Sequence, residues 1–203
     1  SSRVINFAMF FVYTFYLSKK DIGLYDIIQN SVLLITPVIS LQLYDAAFRL
    51  IMNETDASKI KKVISSSILV ALACVALFTV IYFAVYDYFL NIYGLEIYLL
   101  ILAQTIFLFF PQFARALNLN NVFVISGVLY TVIISACSFV FLTVFHFNIE
   151  GLIIANAIAY FLGAIFVAYK IDFSKYFSFV SYDKPLVKEM LKYSLPLIPG
   201  TLS

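Results

Sequence analysis

The sequence predicts an all-α membrane protein, and three observations carry that expectation. Apolar residues make up 64% of the 203, charged residues only 12%, and tryptophan is absent; an ordinary soluble domain is about 45–50% apolar and about 25% charged. Six stretches nearly free of charge alternate with short polar connections, and all but the first have the length of a helix crossing a hydrocarbon core of about 30 Å, roughly 20 residues. Lysine and arginine gather in alternate connections, the asymmetry that retained cytoplasmic loops show. Apolar positions do not alternate with polar ones as barrel strands require, so the spans are helices.

The first span, 4–17, is short and opens without an initiating methionine, so its beginning is expected to be trimmed. A cleavable signal peptide does not fit, because no small-residue cleavage site follows Tyr16. The second span covers 27–49, with its most apolar part ending at Tyr44, and the next three cover 63–86, 97–114 and 122–145. The sixth covers 151–169, where Gly151, Ala155, Ala159 and Gly163 recur every four residues and form one smooth ridge. Such ridges let backbones approach closely in lipid; a contact within the bundle is expected, with a dimer seam as the alternative. After Tyr169 the chain turns polar. An interfacial helix follows at 184–193, with Lys184, Lys188 and Lys192 on one face and Leu186, Val187, Met190 and Leu191 on the other. Its lysines suit anionic headgroups, at about 1 kcal/mol each. Residues 194–203, with Pro196 and Pro199, begin a seventh span that stops in mid-crossing, so a longer protein is expected.

Eleven of the thirteen cations lie on one side: Arg3, Arg49, Lys59, Lys61, Lys62, Arg115, Lys170, Lys175, Lys184, Lys188 and Lys192. Only Lys19 and Lys20 lie on the other. The amino terminus and the second, fourth and sixth connections are therefore expected in the cytoplasm. The net charge of +2 then serves topology and says nothing of nucleic acid. Cys74 and Cys137 fall mid-span and read as small apolar fillers, without metal-ligand spacing. Asn53-Glu54-Thr55 matches a glycosylation acceptor, but on the cytoplasmic side.

Motifs for chemistry are absent. There is one histidine, His146, beside an outer loop, and the glycines are too scattered for a phosphate-cradling loop. No enzyme, metal or cofactor site is expected. Polar residues inside spans remain, and these are functional candidates by default because they are costly in hydrocarbon. In the second span Ser31, Gln42, Asp45 and Arg49 are spaced to share one helical face. Asp45 precedes Arg49 by one turn, the favourable order for a charge pair, and Pro37 permits a bend. In the fourth span Gln104 and Arg115 share a face with Pro111 between them, and Asn6 with Tyr13 repeats the pattern weakly in the first. Gln42, Asp45, Arg49, Asn6, Gln104 and Arg115 are thus the expected lining of a hydrated cavity. Arg49 and Arg115 also fit a blander role as anchors snorkelling to headgroups.

The stretch "FYLSKKDIGLYDIIQNSVLLITPVISLQLYDAAFRLI" resembles the first two spans of bacterial polysaccharide flippases of the Wzx type, within the MOP (MATE-like) exporter superfamily. "QFARALNLNNVFVISGVLYTVI" is similar to that family's fourth-to-fifth connection, "FNIEGLIIANAIAYFLGAIF" to its sixth span, and "MLKYSLPLIPG" to the lead into its seventh. The likeness covers nearly the whole chain through diffuse motifs. It implies that residues 1–193 form the amino-terminal six-helix lobe of a two-lobe transporter in the bacterial cytoplasmic membrane. The implied cargo is an undecaprenyl-pyrophosphate-linked oligosaccharide, flipped by alternating access, and the implied partners are the lipid bilayer, polysaccharide polymerase and chain-length proteins. Arg49 aligns with a basic residue the family carries at the end of span two; Asp45 has no assured counterpart. Alternatives are a multidrug or cation antiporter of the same superfamily, which would need mid-span acids, and a membrane-embedded polymerase or glycosyltransferase, which would need a long outer loop. A scaffold for capsule assembly would leave the second-span stripe without purpose.

Overall fold

The structure, a computed structural model, describes residues 9, 11–89 and 93–202. Among these residues every regular element is helical. Five helices are long and apolar enough to cross a membrane: Lys19–Ile39, Ala57–Val85, Gly94–Ala116, Asn120–Thr143 and Ile149–Lys170. Residues 4–8 and 10 of the expected first span lie outside the described residues; 11–16 are helical and form α1.

Helix α2, Lys19–Ile39, opens on a capping box: Ser18 accepts the N–H of Asp21 at 3.2 Å, and the Asp21 carboxylate accepts the N–H of Ser18 at 3.3 Å. These bonds satisfy donors that a helix start leaves open. Its buried face, Ile28, Val32 and Ile39, packs on Leu100 and Ile101 and on Ile149 and Ile153.

The single helix expected over 27–49 is two helices. The chain breaks after Ile39, with Leu41 and Gln42 both at φ 48°, and restarts as α3, Leu43–Met52. Left-handed backbone costs about 1–2 kcal/mol for a residue with a side chain. Local bonds offset part of that: the Gln42 N–H reaches the Pro37 carbonyl at 3.2 Å and the Leu41 N–H that of Val38 at 3.2 Å. Tertiary burial supplies the rest, since Leu43, Ala46, Ala47 and Ile51 are at most 1% exposed.

Helix α4 runs from Ala57 to Phe89. Its 33 residues rise about 50 Å at 1.5 Å each, well beyond a hydrocarbon core. Helices α5 (Gly94–Ala116), α6 (Asn120–Thr143) and α7 (Ile149–Lys170) pack closely, and α7 is the hub. Its ridge of Gly151, Ala155, Ala159 and Gly163 is buried. A methyl group on Gly151 would stand 3.0 Å from Phe141 Cβ of α6, and one on Gly163 would stand 2.6 Å from Phe107 Cε2 of α5. The ridge therefore contacts neighbouring helices of its own bundle and is no dimer seam.

The connection after α7 holds a short helix α8, Phe173–Tyr176, and a 3-10 turn, Phe179–Ser181. Two α4 hydroxyls clamp it: Ser65 accepts the N–H of Ser178 at 3.0 Å, and Ser66 that of Asp183 at 3.0 Å. Asp183 then caps helix α9, Lys184–Ser194. Val187 and Met190 of α9 are buried against α3 and α4, while Lys184, Lys188 and Lys192 are exposed. A 3-10 turn, Leu195–Leu197, leads to the helix α10, Ile198–Leu202.

Candidate functional site

The polar residues picked out by periodicity fall at three levels of the bundle. Asn6 lies outside the described residues. Gln42 sits at the α2–α3 break, fully buried, and its Nε2 donates to Thr201 Oγ1 of α10 at 2.8 Å. Gln104 is 5% exposed, on the buried side of α5 with Leu100, Ile101 and Thr105. It does not share a wet face with Arg115, which is exposed at the end of the same helix. The break also ends the continuous stripe expected from Ser31 to Arg49: Ser31 is exposed, Gln42 is not.

Asp45 and Arg49 do not pair. No ion pair joins them among the described residues. The Gln112 amide of α5 donates to Asp45 Oδ1 at 3.4 Å, and the Arg115 guanidinium attracts the same carboxylate from beyond ion-pair distance. Arg49 lies with its Cζ 4.3 Å above the ring of Tyr193 on α9, and Arg115 stands 4.7 Å above that of Phe48 on α3. An exposed pair one turn apart contributes only about 0.3–0.5 kcal/mol, no more than the roughly 0.5–1 kcal/mol of a cation over an exposed aromatic ring. Tertiary neighbours therefore decide, and each arginine is held over an aromatic ring of a neighbouring helix.

Two further groups escaped the sequence reading. The first is a buried polar network of α2, α6 and α7. The Tyr130 hydroxyl donates to Asn156 Oδ1 at 2.7 Å, and Asn156 Nδ2 donates to the Tyr25 hydroxyl at 3.1 Å. That hydroxyl also accepts from Gln29 Nε2 at 3.0 Å. Tyr160 stacks on Tyr130 with ring centroids 4.6 Å apart. Asn156, a mid-span amide, was the available signal; it was hidden among the small residues of the ridge. The second group is Asp26 and Asn30, which are exposed together on α2; Ser31, also exposed, turns toward the apolar groove lined by Ile27, Ile35, Phe78 and Ile81. The spacing of four between Asp26 and Asn30 puts them on one side of the helix. The network fixes the other side of α2, so the two groups together determine how that helix is turned about its axis.

What this arrangement offers is hydrogen bonding and charge along a membrane-spanning surface. Among the described residues no group of three His, Cys, Asp or Glu stands close enough to hold a metal ion, and Cys74 and Cys137 are free. No curated protein and no solved structure matches the chain significantly. The family model described as polysaccharide biosynthesis protein matches residues 1–203 in full. With five apolar spans and that match over its whole length, the chain is a multi-pass membrane protein belonging to the polysaccharide biosynthesis family of Wzx-like MOP flippases.

Proposed function

We propose that this chain carries undecaprenyl-pyrophosphate-linked oligosaccharide units across the bacterial cytoplasmic membrane by alternating access, with its amino terminus in the cytoplasm and residues 1–193 as one of two lobes. It acts as a transporter and not as an enzyme. The single observation behind this reading is that α2, an apolar spanning helix, leaves Asp26 and Asn30 uncovered one turn apart. Polar side chains in a span face water or protein, because the bilayer centre penalises a charge by about 3 kcal/mol or more. That face would line the cavity, with a second lobe opposite.

At the other end, Asp45, Arg49 and Arg115 would meet the pyrophosphate. A guanidinium fork suits phosphate oxygens bidentately, and rings under both arginines preorganise them. Asp45 offsets one of the two cations, which keeps the site sparse enough to release its cargo. Gln42 and Gln104, being buried, would support the cavity wall and not touch the cargo.

The test is flipping of a fluorescent lipid-linked oligosaccharide in proteoliposomes, together with surface polysaccharide in cells. Asp26→Asn with Asn30→Leu, and separately Arg49→Gln, should each lower both signals while the protein stays in the membrane. Spin labels at Asp26 and Asn30 should be reached by a water-soluble relaxant. Lipid contact at both labels, or full activity in the variants, refutes the reading.

A further inference from the structure

A groove of about 360 Å³ runs between α5 and α7, away from the polar residues discussed above. Its walls are Leu99, Leu102, Ile106, Ile154, Ile158 and Phe161, and its floor is Ala103 and Ala157, whose small side chains create the depression. The Glu96 carboxylate stands at one end of the lining. Both helices start at that end, α5 with Glu96 in its first turn and α7 with Glu150 in its first turn. Glu150 precedes Ile154 by four residues, so it lies one turn above the groove on the wall-forming face. Neither glutamate belongs to an ion pair among the described residues.

We infer that this groove binds one acyl chain of an amine-headed phospholipid of the phosphatidylethanolamine kind, with the ammonium group at the Glu96 and Glu150 mouth. Length supports a single chain. From Glu96 to Ile106 the helix rises about 15 Å, half the hydrocarbon thickness and hence the depth of one leaflet. Charge selects the head: two uncompensated carboxylates attract an ammonium and repel a lipid carrying net negative charge, the pyrophosphate-linked cargo included. The site is thus separate from the proposed passage, and it does not depend on the chain being a flippase.

The test is native mass spectrometry of the chain released from nanodiscs of equimolar phosphatidylethanolamine and phosphatidylglycerol. Retained phosphatidylethanolamine should exceed phosphatidylglycerol about fivefold, the ratio expected of an exposed charge pair. Glu96→Gln with Glu150→Gln should bring the ratio to about one, and Glu96→Asp with Glu150→Asp should restore it. Ala157→Phe, which fills the groove from its floor, should reduce retained lipid of both kinds while helical content by circular dichroism stays unchanged. Equal retention of both lipids by the unaltered chain overturns the inference. So does a preference that survives the double glutamine change, or stronger retention of an added polyprenyl phosphate. Because nothing is transported in this measurement, its failure would leave the flippase reading untouched.

Discussion

Replacing Asn156 by leucine tests whether the buried network holds α2, α6 and α7 in register. The substitution removes the 2.7 Å bond from Tyr130 and the 3.1 Å bond to Tyr25, leaving the Tyr130 hydroxyl without that acceptor. Interhelical hydrogen bonds in a bilayer average about 0.6 kcal/mol and reach about 1.7 kcal/mol. Asn156 is 2% exposed, so water cannot readily replace them. The expected destabilisation is therefore about 1–3 kcal/mol for Asn156→Leu and a similar amount for Tyr130→Phe, whose hydroxyl bonds both Asn156 and Tyr160. The double variant should cost less than the sum by at least about 0.5 kcal/mol, because both changes delete the same bond. Reversible unfolding of the purified chain in mixed detergent micelles gives all four free energies. If the two changes add within about 0.3 kcal/mol, the Tyr130–Asn156 bond is not made and the α6–α7 half of the network falls with it.

Three further outcomes follow from local geometry. Gly163→Val should destabilise by about 1–3 kcal/mol, because Phe107, 2.6 Å from a modest Cβ, also packs against Tyr130 and Tyr160 and must give up those contacts to make room; Gly127→Ala, which meets nothing within 4 Å, should be neutral or stabilising in the same unfolding assay. Lys62→Ala breaks a 3.3 Å pair with Asp183 that is partly exposed on both sides, so it should change stability by less than about 1 kcal/mol and less still in high salt. The Glu54 carboxylate accepts the N–H groups of Asp56 and Thr55 and faces Lys59, which hold its carboxyl below the ordinary range. With the folded value depressed, its contribution is present above the unfolded value and is lost as pH falls through the folded one; a carboxyl NMR titration with a midpoint at or above the free glutamate value would contradict this.

How far these features can be read from residues alone depends on what creates them. Spans are set by hydropathy over about 20 residues, a local property, so α4 to α7 lie where the apolar runs lie. The face of α9 is equally local, since lysines four apart segregate from Val187 and Met190. The break at Leu41 and Gln42 is different. Neither residue is glycine, and Pro37, which permits a bend, lies two residues inside the end of α2, so it signals a distortion but neither its place nor its left-handed form. It exists because Leu43, Ala46 and Ala47 bury more favourably when α3 restarts against α4 and α5. The same non-local logic decides the partners of Asp45 and Arg49, whose spacing says only that they could meet. Asn156 was legible as a costly amide, but its partners Tyr25 and Tyr130 come from helices distant in sequence.

The repartnered charges make a sharper test of the proposed cargo site than either arginine alone. Because Asp45 lies in the field of Arg115, Arg115→Gln leaves a carboxylate at the site with only the Gln112 amide beside it. An unmatched negative charge there opposes a pyrophosphate, and loss of a charge-assisted contact of about 1.5–3 kcal/mol predicts a fall in flipping of roughly tenfold or more. Asp45→Asn should return most of that loss by removing the repulsion. Arg49→Gln is a different case, since Arg49 rests on Tyr193 and leaves the Asp45–Arg115 relation intact; there Asp45→Asn should restore little. Proteoliposome flipping rates for the three single and two double variants decide the matter. Equal rescue of both arginine variants would mean that Asp45 acts only through net charge, and absence of rescue for Arg115→Gln would place the pyrophosphate elsewhere.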